Sequence, residues 1–587
     1  MQTAATTKRS GFTNNLRLPT PVPAGAERTI GPRMVATKHA NPAGNVRGPL
    51  RAGEIGRLTE AVATPTLRAR SDRCNTTNMH QDHRAASPLK QTLAVGVGVL
   101  VIYALFSWDF LVKPSPHFHF LDQAAGFLDG KLQTDTPRRW KGQRPRDDDR
   151  PGLQEAVDRH LAVGGWNDWA SYRVLVLAGG EEVRGVFPYK NNKGPRRNEF
   201  WTVDGKMMVI DVTRDLATGC DPERPAAKCD RVEYKISFPP GPGLLLMPFV
   251  AVFGYNVNDV WFTLLFAAAS PVLLLLWLRR LRAGGFIHHR NGELIWLVAM
   301  FALGTVALYC GIRGSVWFTA LTLGVTMHFG YLLAAQGARR PVLAGAILGF
   351  GVATRTPLLF ASVFFLFEAL YEDGLWLGGD GMNGFKRALR KLLLFAAPMA
   401  AVGIALAWYN WARWQNPLEF GHFYLLEGTR APTRDHGLFN FFFLNHNLSA
   451  ALTNVPRISD QAPFVQVTRH GLGILACTPA LLALIGGREP HDSDPVEPDM
   501  VRKRRVLGRN LAIGIFAVAF PALLYQNDGW QQFGYRFSLD FWPLLMGLFA
   551  LRIGNVSRGV KVLIVIGIVV QAFGAVTFGR FEHFYYG

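Results

Sequence analysis

The sequence predicts an all-α polytopic membrane protein of about 11 transmembrane helices, with a small β-containing insert near its start. Three observations carry this. Apolar stretches recur from Leu89 onward, clusters of Lys and Arg fall between them at alternate connections, and one connection, 112–257, is far longer than most of the others. A bilayer core of ~30 Å needs ~20 apolar residues of helix. The composition, 49% hydrophobic at a mean hydropathy of +0.11, averages two unlike parts.

Residues 1–88 are polar, with 13 Lys/Arg against 5 Asp/Glu. They read as a disordered basic leader, too long before the first apolar run to be a signal peptide. Met79 is a natural alternative initiator, so the leader is a candidate start-site extension. The expected spans are 89–111, 258–279, 293–313, 315–336, 341–353, 357–372, 392–410, 471–487, 510–525, 541–552 and 559–577. Several are short, so kinked or tilted helices are expected among them.

Basic clusters follow the second span (Arg279, Arg280, Arg282, Arg290), the fourth (Arg339, Arg340), the eighth (Arg502 to Arg505) and the tenth (Arg552, Arg558, Lys561). Lys386, Arg387, Arg390 and Lys391 precede the seventh. All fall on one side when the spans are counted in order. Positive residues stay cytoplasmic, which predicts a multi-pass plasma (inner) membrane protein, N-terminus cytoplasmic and C-terminus extracytoplasmic. The net charge of +20 is then used for orientation against the lipid bilayer, and no nucleic acid is expected as a partner. The loops 112–257, 411–470 and 526–540 face outward together.

The long loop has its own organisation. Residues 117–132 have the spacing of an amphipathic helix, and a charged, Pro-containing run covers Pro137 to Pro151. Tyr172–Leu177 and Val183–Phe187 flank Gly179-Gly180, and Phe200–Val203 and Met207–Ile210 flank Asp204-Gly205, the pattern of two hairpins. The Pro-Pro-Gly-Pro stretch at 239–242 is expected to be irregular, with a surface helix over 244–252. Cys220 and Cys229 are a candidate disulfide on the outer side. They lack the second Cys/His pair of a zinc site, and no metal ligand set is assigned.

Ionisable groups within or beside spans are costly and therefore informative. Arg355, where two short apolar segments meet, suits a lipid phosphate. His117, His119, Asp122 and Asp129 cluster at the start of the long loop. On a helix, His119 and Asp122 share a face, giving a carboxylate and an imidazole for general-base work. Asp109, near the end of the first span, is the rival acid. In the last outer loop Tyr535 and Arg536 are candidate binding residues, and Arg536 with Asp540, four apart, has the spacing of a helical salt bridge. His328, alone in mid-span, reads as a satisfied buried histidine, and His288-His289 as a loop pair.

The order of these features resembles the GT-C superfamily of polyprenyl-phosphate-dependent glycosyltransferases, in particular the bacterial branch related to protein mannosyltransferases (family 39). The matching text is Phe127-Leu128-Asp129-Gly130-Lys131-Leu132, Phe238 to Leu245, Gly349 to Pro357, Tyr409-Asn410 with Asn416 to Gly421, and Phe533 to Pro543. The resemblance implies sugar transfer from a polyprenyl-phosphate donor to an extracytoplasmic acceptor, with an acid after the first span as base and cations on the donor phosphate. Asp122, Asp109 and His119 would be catalytic, and Arg355, Arg536, Tyr535 and His117 would bind donor or substrate. A divalent metal, used by some relatives, is left open. The acidic pair of better-known members is replaced here by Ser115-Pro116. Two other classes stay in view: a transporter or flippase of lipid-linked saccharides, and a non-catalytic scaffold that binds a partner through the insert.

Overall fold

The computed structural model describes residues 88–133, 151–156, 158, 169–190, 194–425, 431–486 and 497–587. The leader up to residue 87 and most of the charged run 137–151 lie outside the described residues. Six helices are long and apolar enough to cross a bilayer: Pro88–Ser107, Asp259–Ala283, Val316–Ala338, Met382–Trp414, Pro498–Leu524 and Arg558–Thr577. They make this a helical membrane protein. Apolar side chains can point outward only where lipid covers them. On α1 (Pro88–Ser107) Leu89, Leu93, Val97, Val101 and Leu105 are exposed at a spacing of four residues. This single stripe lies opposite the buried Val99, Tyr103 and Ser107.

The insert begins with α2 (His119–Leu128), whose apolar spacing buries its first two turns. Five antiparallel strands follow: β1 (Trp169–Val176), β2 (Glu182–Val186), β3 (Glu199–Thr202), β4 (Met207–Val209) and β5 (Asp230–Ile236), in the order β4-β3-β2-β1-β5. The two hairpin turns lie at 177–181 and 203–206. The fifth strand, absent from the sequence reading, pairs with β1 over its whole length, from Trp169 opposite Ile236 to Leu175 opposite Asp230. Cys220 and Cys229 are disulfide-bonded and close the loop before β5.

The Pro-Pro-Gly-Pro segment corrects an expectation. Helix α3 runs Gly241–Phe253 and takes Gly241-Pro242-Gly243 as its first turn. A first-turn proline gives up an amide that no helix bonds, and its fixed φ suits the helix start.

Then come α4 (Asp259–Ala283), α5 (Asn291–Gly304), the short α6 (Ala307–Gly311), α7 (Val316–Ala335), α8 (Pro341–Val352), α9 (Ser362–Leu370) and α10 (Met382–Trp414). The expected span 293–313 is broken because Thr305 adopts an extended conformation (φ −125°, ψ 172°) and its hydroxyl caps Ala307. After the short α11 (Leu444–Leu448), the expected span 471–487 is also broken, into turns at Ile474–Cys477, Pro479–Leu482 and Ala483–Gly486. Thr478, held out of the helical region before Pro479, is the break. The last helices are α12 (Pro498–Leu524), α13 (Trp542–Arg552) and α14 (Arg558–Thr577). The basic clusters at 386–391 and 502–505, read as loop, are helical in α10 and α12, because Lys and Arg are good helix formers whose stems lie along apolar surface.

Packing is sequential for the most part: α1 on α4, α4 on α7, α7 on α8 and α8 on α10. The α8–α10 crossing needs a glycine. A Cβ on Gly345 would lie 2.1 Å from the Phe395 carbonyl oxygen, the close approach that small residues allow between membrane helices. Helix α2 packs on α3, so the two ends of the insert meet.

Candidate active site at the ends of the insert

Asp122 lies in the first turn of α2 and is 2% exposed. The Tyr255 hydroxyl donates to Oδ1 at 2.6 Å, and the Trp169 indole Nε1 donates to Oδ2 at 3.3 Å. Trp169 opens β1 and Tyr255 follows α3, so the sheet and the insert's far end both grip this carboxylate. The same indole stacks on His119 with ring centroids 3.9 Å apart. His119 and Asp122 are thus joined through Trp169, a residue their spacing did not reveal. His117 packs on Trp317 at 4.5 Å, and Trp317 also faces His119 at 6.4 Å.

One residue on, Gln123 donates to the Tyr409 hydroxyl at 3.0 Å and to the Phe238 carbonyl at 3.3 Å. The start of α3 is held from the other side, where the Gly241 amide donates to Ala353 O at 2.7 Å and a Cβ would strike Thr354 Oγ1 at 2.6 Å. Between these elements lies a narrow crevice lined by Asp122, Gln123, Phe127, Lys131, Ile236 and Tyr409 among others. Arg413 covers the Tyr409 ring at 3.8 Å and donates to Ile236 O at 2.6 Å. Lys235 of β5 donates to the Arg413 carbonyl at 2.5 Å.

Burial pulls Lys235 down to about 8, against the opposing pull of Glu233. Its usual value is 10.5. The unfolded chain therefore holds more protons between pH 8 and 10.5, and stability rises with pH through that window by up to about 3 kcal/mol. Unfolding measured from pH 8 to 10.5 should show this rise in the native chain and lose it in Lys235→Met. A rise that persists in the variant would assign it to other groups.

Arg355 is not free for a ligand. It makes a fork to Asp540, Nε to Oδ1 at 3.0 Å and Nη2 to Oδ2 at 2.7 Å. The expected Arg536–Asp540 pair does not form. Residues 536–540 are a 3₁₀ helix, in which positions three apart align and a fourth is turned about 120° away. Arg536 is 5% exposed and lies against the Phe318 and Phe537 rings. Its guanidinium reaches one carbonyl, Gln531 O, at 3.4 Å, and Nε has no hydrogen-bond partner. No ion pair involves it among the described residues. Arg355 lies over the same Phe537 ring at 5.2 Å. Tyr535, fully buried, likewise has no partner for its hydroxyl among the described residues. His328 donates from Nδ1 to the Asp540 carbonyl at 2.9 Å, but its buried Nε2 has no hydrogen-bond partner among the described residues, so the satisfied histidine expected from the sequence is only half satisfied.

Helix α7 touches each of these groups: Trp317 meets the two histidines, Phe318 carries Arg536, and Gly324 lies against Arg355. Asp109 stands elsewhere. Arg580, beyond α14, donates to both its carboxylate oxygens and to Phe106 O, which closes the end of α1 onto the end of α14.

Asp259 was missed by sequence reasoning. At the first position of α4 and 4% exposed, it accepts from the Ser115 amide at 2.8 Å and hydroxyl at 2.6 Å. A carboxylate from the far end of the insert therefore reaches the Ser115-Pro116 position where an acid was expected. Trp169, Tyr255 and Lys235 also escaped notice, since no local spacing links them to α2. No protein-family model matches the chain, and no curated protein or solved structure matches it.

Proposed function

We propose that this chain is a membrane glycosyltransferase that moves a sugar from a polyprenyl-phosphate donor to an extracytoplasmic acceptor. The observation that carries the reading is Arg536. A buried guanidinium without a carboxylate is penalised by several kcal/mol until an anion joins it, and a donor phosphate presents the oxygens its fork fits. Arg355, neutralised by Asp540, would position Phe537 and Arg536 rather than hold phosphate itself. Asp122 would take the proton of the acceptor hydroxyl as that oxygen bonds to the sugar's C1. The C1–O bond to phosphate breaks, and the electron pair leaves on polyprenyl phosphate, whose charge Arg536 stabilises. His119, stacked on Trp169, would fix the indole that orients Asp122. The basic clusters at 279–290, 339–340, 386–391 and 502–505 support an orientation in the plasma membrane with this site extracytoplasmic.

The test uses the full chain in liposomes with a panel of radiolabelled polyprenyl-phosphate sugars and a membrane extract as acceptor source. Label should move to the acceptor fraction, and Arg536→Gln should lower that transfer by about 10²-fold, the loss of one charged transition-state contact. Transfer by the variant at the native rate would overturn the role of Arg536, and no transfer from any donor would overturn the reading. Movement of intact donor across the bilayer, with no new glycosidic bond, would assign the chain to transport instead.

A further inference from the structure

We propose that His446, His470 and Asp528 form a binding site for a divalent metal ion of the Zn²⁺ class. The three come from separate segments: His446 from α11, His470 from the turn after the strand Val465–Thr468, and Asp528 from the loop after α12. Their ligand atoms lie within 4.8 Å of one another. Both imidazoles point at a single carboxylate oxygen: His446 Nε2 is 3.0 Å and His470 Nδ1 2.5 Å from Asp528 Oδ2. A tetrahedral ion with bonds of about 2.1 Å sets its ligands about 3.4 Å apart. Small shifts of the imidazoles bring the three atoms to that spacing.

The surroundings hold the ligands from behind. Asp528 is 97% buried by its exposure of 3%, and its other oxygen, Oδ1, accepts from the Trp530 amide at 2.9 Å, which leaves Oδ2 to the imidazoles. Gln532, wholly buried, donates to the His470 carbonyl at 2.7 Å and the Asp528 carbonyl at 2.8 Å, locking two ligand-bearing segments together. Second partners of this kind fix metal ligands in place. His446 is the open side, its side chain 59% exposed. An ion can enter there, and positions for water or substrate oxygen remain beside three protein ligands, as in a catalytic rather than a closed structural site. Two imidazoles with one carboxylate, and no thiolate, favour zinc and its first-row neighbours over calcium or magnesium.

Gln532 also links this site to the candidate anion site, since its Oε1 accepts from the Arg536 amide at 2.8 Å. The metal site stands on its own residues, whether or not the chain transfers sugar.

The full chain, purified in detergent and stripped with a chelator, is titrated with Co²⁺ and followed by its visible d–d absorption. Zinc content after Zn²⁺ loading and buffer exchange is measured by mass spectrometry. About one equivalent of zinc is expected in the native chain. His446→Ala should bind about tenfold or more weakly, and the His446→Ala/His470→Ala double variant should lose the site. Because Asp528→Asn disturbs a buried contact, the two histidine variants carry the decision, with unfolding in chelator as their folding control. Less than about a tenth of an equivalent in the native chain, or native-like binding in the double variant, would overturn the site.

Discussion

Asp122→Asn is expected to lower sugar transfer by about 10²–10⁴-fold, the usual contribution of a positioned general base. The loss should appear in kcat with little change in the KM for the donor, because the residue acts on the acceptor proton. The substitution suits the purpose. Asparagine keeps the volume and still accepts from the Tyr255 hydroxyl at Oδ1, while its amide faces the Trp169 indole donor to donor and loses that bond. Folding should therefore weaken by about 1–3 kcal/mol, the cost of a buried donor left unpaired. Transfer within twofold of the native rate would remove Asp122 from the chemistry. Asp109→Asn is the comparison, since that acid is committed to Arg580 and ties α1 to α14. Its loss should be seen in unfolding and not in kcat.

Asp540→Ala is expected to destabilise the fold by about 3–5 kcal/mol, the range for breaking a buried ion pair from one side. The Asp540 side chain is 2% exposed and Arg355 19%. Removing the carboxylate strands the Arg355 guanidinium on the Phe537 ring, which Arg536 also faces. Two uncompensated cations then share a site with little water to screen them. The paired change Arg355→Met/Asp540→Leu removes both charges and should recover most of the loss. Unfolding in detergent measures both variants. An Asp540→Ala chain within about 1 kcal/mol of native would show that water or lipid already compensates Arg355, and so would a double variant no better than the single one.

The helices show how far sequence pattern reaches. Most of 89–111, and 258–279, 315–336 and 559–577, were legible because a continuous apolar run must be helical to satisfy its own backbone in lipid. The breaks at Thr305 and Thr478-Pro479 were not, since both lie inside apolar text and only neighbouring helices decide whether the chain continues. In the insert the two Gly-containing turns gave away four strands. β5, whose text Asp-Arg-Val-Glu-Tyr-Lys-Ile is mostly polar, becomes a strand by pairing with β1, 55 or more residues earlier in the chain.

The candidate site divides in the same way. Sequence by itself determined that this is a helical membrane protein with one large polar insert, that α2 would present Asp122 and His119, that Arg355 would be a costly cation near the bilayer, and that Arg536 would be a candidate binding residue of an outer loop. These follow from period, hydropathy and the expense of charge in lipid. Which cation is spent and which is spare was decided only by tertiary structure. Asp540 turns to Arg355 because a 3₁₀ turn rotates it away from Arg536, and Asp259 reaches Ser115 because α4 begins where α1 ends. Such pairings depend on where separate segments meet in space, and local sequence spacing carries no record of that.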